Sequence, residues 1–165
     1  METSPKKQPK ETDRIKALLE AYPRLQERID YTEKRLACLE LSIGAPSTPN
    51  LSGMPSGGRD GSSKTERDYI KKEELEEKLG NMYAEENRRR EEIERLIELM
   101  EKPDEQTVIE MHYLDGAVWR VISIALYGDM DDYDEHEKRY LKRTFKVHGS
   151  ALQSLAKIYA EYGNQ

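Results

Sequence analysis

Residues 138–155, KRYLKRTFKVHGSALQSL, place Lys138, Arg139, Lys142, Arg143 and Lys146 within nine positions of a chain whose formal net charge is −6. Cations at that density hold phosphate oxygens, and arginine also reads guanine edges through paired N–H donors. Read as a helix at about 100° per residue, the stretch separates into two stripes. Leu141, Phe145, His148, Leu152, Leu155 and Tyr159 fall on one side and are expected to face a core. Arg139, Lys142, Arg143 and Lys146 fall on the adjacent side with Ser150 near them, and these five are the candidate DNA-binding residues. A helix about 10–12 Å across fits a major groove about 12 Å wide. Gly149, lacking a side chain, leaves room for close approach of a duplex or for close helix packing.

Other chemistries find less support. The acidic run DMDDYDEHE, residues 129–137, lacks the glycine and the final glutamate that a calcium loop needs at its sixth and twelfth positions. Its acids are expected to complement the N-terminus of the following helix and to repel misplaced DNA. His112, His136 and His148 lack ligand spacing, so no zinc site is expected. Cys38 is the single cysteine, which excludes an internal disulfide and a cysteine-based metal site. No glycine-rich phosphate loop, nucleophile elbow or paired acids of a nuclease occur, so neither an enzyme nor a cofactor is expected. The run Arg88–Arg89–Arg90 is read as a solvated helix face beside glutamates, with phosphate contact as the lesser reading.

The elements that must position these residues are helical. Residues 104–162 are expected to form a three-helix head. Its first helix is DEQTVIEMHYL, with Asp104 as N-cap and Val108, Met111 and Leu114 inward. Asp115–Gly116 is a turn signal. The second helix, AVWRVISIALYG, turns Val118, Trp119, Ile122, Ala125 and Leu126 inward and ends at Gly128. The third carries the basic stretch to about Tyr162.

Residues 12–102 are expected to form a coiled-coil region. Ile15, Leu18, Tyr22, Leu25, Ile29, Leu36, Leu39 and Ile43 step by threes and fours if Thr32 fills one gap. Pro23 interrupts this pattern and predicts either a kink or a helix start. Residues 44–65, rich in Gly, Pro and Ser, read as a flexible linker. Helix resumes near Glu66 with Leu75, Leu79, Met82, Ile93, Leu96, Ile97 and Met100 as its stripe, and Pro103 closes it. Glu86 and Arg89 interrupt the seam midway. Two such helices are expected to fold back antiparallel, and self-association as a homodimer is also expected to be open to them. With hydrophobic and charged residues each at 36%, long exposed helices account for the composition better than a compact globule does. No apolar run approaches the roughly 20 residues of a membrane span, and the N-terminus lacks the apolar core of a signal peptide. A cytoplasmic protein with no membrane partner is the expectation.

The segments YLDGAVWRVISIAL, RTFKVHGSALQSLAKIY and LSGMPSGG resemble the RinA/ArpU-like transcriptional regulators of phages and prophages, and a related phage family of unknown function. The resemblance implies an all-α fold: a helical N-terminal region, a Met-Pro-Gly connector and a C-terminal helix-turn-helix similar to region 4 of sigma factors. It implies binding of double-stranded DNA and contact with host RNA polymerase in the cytoplasm of a bacterial host. On this resemblance Trp119 and Ile122 match the core of the supporting helix, and Phe145, Leu152 and Leu155 the core of the recognition helix. Arg143, Lys146, His148 and Ser150 match positions that face or flank DNA. Two features depart from it: Ser123 stands where a small alanine is usual, and residues 129–137 lengthen the turn. Two other functions fit the same pattern, a coiled-coil scaffold without nucleic acid and a small terminase-like DNA-packaging subunit.

Overall fold

Runs of good helix formers with apolar residues at threes and fours fold into helices that hide one stripe each. The computed structural model describes residues 10–45 and 63–162, and all the regular structure among them is helical. The described residues form five α-helices: α1 (Glu11–Gly44), α2 (Lys64–Glu98), α3 (Pro103–Ile109), α4 (Trp119–Tyr127) and α5 (Glu137–Tyr162). Most of the expected linker, with its Met-Pro-Gly connector, lies outside the described residues. No helix is long and apolar enough to cross a membrane among the described residues.

The chain divides into two compact units, one of Met1–Arg24 with Glu86–Gln165 and one of Leu25–Glu85. This division is not the expected 12–102 and 104–162. Its cause is a shared core: Ile15, Leu19 and Tyr22 of α1, Ile93 and Ile97 of α2, Ile109 and Tyr113 after them, and Ala151 and Leu155 of α5 pack into one cluster. The first turns of α1 and the last turns of α2 therefore belong with α3 to α5.

The Leu25–Glu85 unit is an antiparallel helical hairpin. Leu25 and Ile29 of α1 pack with Met82 and Leu79 of α2. The Tyr83 hydroxyl donates to Glu33, and Lys72 pairs with Glu40 at 3.2 Å. Pro23 lies inside a continuous α1, so of the two outcomes expected there the helix does not start at proline. Buried Leu19, Tyr22 and Leu25 flank it on both sides, and burying three such side chains offsets the roughly 3 kcal/mol an interior proline costs.

The polar break in the α2 seam has a structural reason. The Tyr22 side chain is fully buried, and its hydroxyl meets Glu86 at 3.4 Å and Arg90 at 3.5 Å. Polar residues replace apolar ones where a tyrosine hydroxyl needs partners. Arg90 also binds Glu94 at 2.8 Å.

α2 ends at Glu98, and Pro103 opens α3 rather than closing α2. Gln106 of α3 donates to the carbonyls of Ile97 and Met100, both at 3.0 Å, satisfying acceptors a helix end leaves open. Asp104 is not the N-cap; Lys102 holds that position without a side-chain bond. α3 widens into a π-helical turn, Glu110–Leu114, in which the Asp115 amide reaches back five residues to Glu110 at 3.0 Å. Gly116 then takes φ +67°, a left-handed conformation that suits glycine, and the chain turns into α4. The Asp-Gly turn thus stands at the expected residues.

Candidate nucleic-acid interface

α5 is held from below by α3 and α4. Tyr140, Thr144, Ala151, Leu152, Leu155 and Ala156 are its buried residues. In the first half of the helix the buried row runs through Tyr140 and Thr144, one position before the expected Leu141 and Phe145. Phe145 is 44% exposed, which corrects its assignment to the core; one edge leans on Trp119 at 4.9 Å between ring centroids. The shift by one residue follows from Tyr140. Its ring stacks on Tyr133 and packs at a tilt against Tyr127 in a tyrosine cluster beside α4, and so sets the rotation of the helix.

α4 departs from expectation in the same way. Ile122 is buried and Trp119 and Leu126 are partly so, but Val118 is 65% exposed and Ala125 is exposed. Ser123 and Tyr127 take the inner positions instead. Ser123, the residue at odds with the resemblance, accepts a hydrogen bond from Tyr133 at 3.1 Å. Tyr133 belongs to the acidic run. The two departures are thus one feature: the lengthened turn is pinned to the supporting helix through a buried hydroxyl pair.

The five candidate residues do not share one environment. Lys142, Arg143 and Lys146 are exposed, as is Lys138. Among the described residues no carboxylate pairs with these four, and the Arg143 guanidinium lies over the Tyr127 ring at 5.0 Å. Arg139 is engaged: its Nη2 donates to Asp132 at 2.5 Å and to the Tyr140 hydroxyl at 3.2 Å. The Tyr140 hydroxyl also donates to Asp132. Hydrogen bonds from Tyr140 and Arg139 hold the Asp132 carboxyl below the ordinary aspartate range. Arg120 pairs with Glu137 at 2.6 Å, which brings α4 and the first turn of α5 together.

Ser150, seven residues after Arg143, stands half-buried at the edge of the basic stripe, and its hydroxyl is engaged within the fold. Its hydroxyl donates to Glu105 at 2.5 Å. Ser154 donates to the same carboxylate at 2.7 Å, and Lys102 at 3.0 Å. Glu105 is only 2% exposed. Burial pushes its pKa up, but the bonds from Ser150, Ser154 and Lys102 outweigh it and leave the carboxyl below its ordinary value. The spacing of Ser150 and Ser154, one helical turn apart on α5, is the signal in the sequence for a shared acceptor.

His148 sits against the head rather than the solvent. Its Nε2 lies 3.0 Å from the Tyr113 hydroxyl, and its ring meets Trp119 and His112 edge-on. Burial holds its pKa down at about 4, with the neighbouring His112 and Lys16 acting in the same direction. Burial raises Tyr113 to about 12, so this hydroxyl stays protonated and we assign it as the donor to a neutral imidazole. His112, stacked on Trp119 at 4.1 Å, is also lowered by burial.

The outward ridge of α5 therefore runs through Lys138, Lys142, Phe145, Lys146, Gly149 and Gln153, all exposed. A Cβ at Gly149 would meet open space, so helix packing does not require the glycine. Phe145 and Gln153 join this ridge, although neither is among the candidates that charge and periodicity select. Gln153 follows Lys146 by two turns, the spacing that points to it.

A family model described as a protein of unknown function (DUF1492) matches residues 50–128, which ends before the acidic run and α5. No curated protein and no solved structure matches the chain.

Proposed function

We propose that the protein is a DNA-binding transcriptional regulator of the phage and prophage type. In this reading α3 to α5 act as a helix-turn-helix similar to sigma region 4, with α5 entering the major groove of double-stranded DNA. The observation that carries it is the exposed basic set of Lys142, Arg143 and Lys146. These three cations have no carboxylate partner among the described residues and stand on the solvent side of a helix whose opposite side is buried. Phosphate contacts from these cations supply affinity and a steep salt dependence. Gly149 leaves the backbone bare for close approach, Gln153 has the donor and acceptor pair that recognises adenine, and Phe145 offers an apolar surface to a thymine methyl. Contact with host RNA polymerase and pairing into a homodimer belong to the same reading and rest on the resemblance and on the helical hairpin.

The test is replacement of Lys142, Arg143 and Lys146 by alanine, with affinity for duplex DNA measured across a salt series. The expected result is affinity at least tenfold weaker at moderate salt, and a salt slope shallower by about one for each phosphate no longer neutralised. Unchanged affinity and slope overturn the assignment of α5 as the reader. A second reading, a scaffold without nucleic acid, has one observation in its favour: Val118, just before α4, and Val121 and Ile124 on it are exposed apolar residues. Indifference of the intact protein to any duplex at low salt decides for it. A large ring in solution decides instead for a packaging subunit.

A further inference from the structure

The hairpin unit holds a concave site far in sequence from α5. Arg35, Cys38 and Leu39 of α1 and Lys71, Glu74, Leu75 and Lys78 of α2 line an open groove of about 470 Å³. Its floor is apolar: Leu75 is buried and Leu39 half-buried. Its rims are cationic. Arg35, Lys71 and Lys78 are exposed, and no carboxylate pairs with them among the described residues, whereas neighbouring Lys34 and Lys72 are paired. The charge continues along both helices at heptad spacing. Arg28 precedes Arg35 by seven residues, and Lys64 precedes Lys71 by seven, with Arg67 between; all are exposed. Glu74 follows Arg67 at the same seven-residue step, and Glu85 follows Lys78.

We propose that this groove docks an acidic amphipathic helix from a partner protein, completing a three-helix coiled coil. Two antiparallel helices with leucines between them present holes for the apolar knobs of a third. Flanking cations on both rims select a helix whose knobs are bordered by glutamate or aspartate. A second copy of the chain docking through the same face is disfavoured. Its two-fold symmetry would set Arg28, Arg35, Lys64, Arg67, Lys71 and Lys78 against their own kind. The connector residues 46–62 carry one acid, Asp60, and one base, Arg59, and lack the charge to fill the groove. A duplex is disfavoured too, because its phosphates would lose hydration against Leu39 and Leu75.

Cys38, the chain's single cysteine, is exposed in this groove and reports its occupancy. The probes are two designed peptides of about three heptads, both with leucine at the a and d positions, one with glutamate and one with lysine at e and g. The measurement is the alkylation rate of Cys38 in the full chain, alongside peptide affinity. The glutamate peptide is expected to slow alkylation at least tenfold, and the lysine peptide to leave it unchanged. Exchanging Arg35, Lys71 and Lys78 for glutamate is expected to reverse that preference, and the reversal also demonstrates a folded variant. Equal protection by both peptides, protection by neither, or stronger protection by duplex DNA overturns the proposal. The readout is independent of α5, so loss of DNA binding there and failure of the groove remain distinguishable.

Discussion

Asp132 decides how much of the basic stretch is available. Its carboxylate takes hydrogen bonds from Arg139 and Tyr140, so the first cation of the candidate set is neutralised by its own chain. Under the proposed function, Asp132→Asn frees Arg139 for phosphate. The expected outcome is a severalfold gain in duplex affinity and a salt slope steeper by about one, measured by titration at several salt concentrations. The double variant with Arg139→Ala should lose that gain, since the effect acts through the guanidinium. Exposed ion pairs contribute little to stability, so the melting temperature should barely move.

At the level of elements, α5 is held in place by a buried carboxylate as well as by its apolar row. Glu105 joins α3 to two turns of α5 through Ser150 and Ser154. Glu105→Ala leaves two hydroxyls and the Lys102 ammonium without their acceptor and opens a cavity. A loss of about 3 kcal/mol is expected in chemical denaturation at pH 7. Glu105→Gln, which keeps the shape and one acceptor, should lose less. Because the folded-state pKa is lowered, this stabilisation is present above the ordinary value of 4.5 and fades as pH falls through the folded value. Under the proposed function, weakening this tie should also blunt DNA binding, because it anchors the helix that carries Lys142 and Lys146.

Over the whole molecule, the unit containing α3 to α5 carries two imidazoles whose pKa burial lowers. His148 has a folded pKa of about 4 against an ordinary 6.5. Above pH 6.5 neither the folded nor the unfolded chain protonates it, and stability is unaffected. Between pH 6.5 and pH 4 the unfolded chain takes up the proton and the folded chain does not, so stability falls as pH falls. The loss from His148 is no more than about 3 kcal/mol, and His112 adds in the same direction. Melting followed from pH 7.5 to pH 4 checks this, and His148→Gln should flatten the profile. A profile equally steep in that variant places the acid sensitivity elsewhere. The division into two units offers a second expectation: groove variants at Arg35, Lys71 and Lys78 should leave this pH profile unchanged, because the hairpin unit contains neither imidazole.

Much of this architecture is legible in the residues alone. Five helices, an antiparallel hairpin, the Asp115–Gly116 turn and a two-faced C-terminal helix follow from periodicity, glycine and charge, which act over a few neighbouring positions. The interruption at Glu86 is visible as a break, but its cause is not, because the partner is Tyr22 on another helix. The rotation of α5 differs from the wheel by one residue at Leu141 and Phe145, since a helical wheel allows neighbouring stripes and only Tyr127, Tyr133 and Tyr140 packing together chooses between them. The partner of Ser150 is hidden for a related reason: a serine at the edge of the basic stripe turns its hydroxyl toward whichever acceptor the fold supplies, and Glu105 lies forty-five residues away. Local pattern determined which segments are helical and roughly which faces are wet. Contacts between residues distant in the chain decided which cations stand free, because burial and pairing are properties of neighbours that only folding brings together.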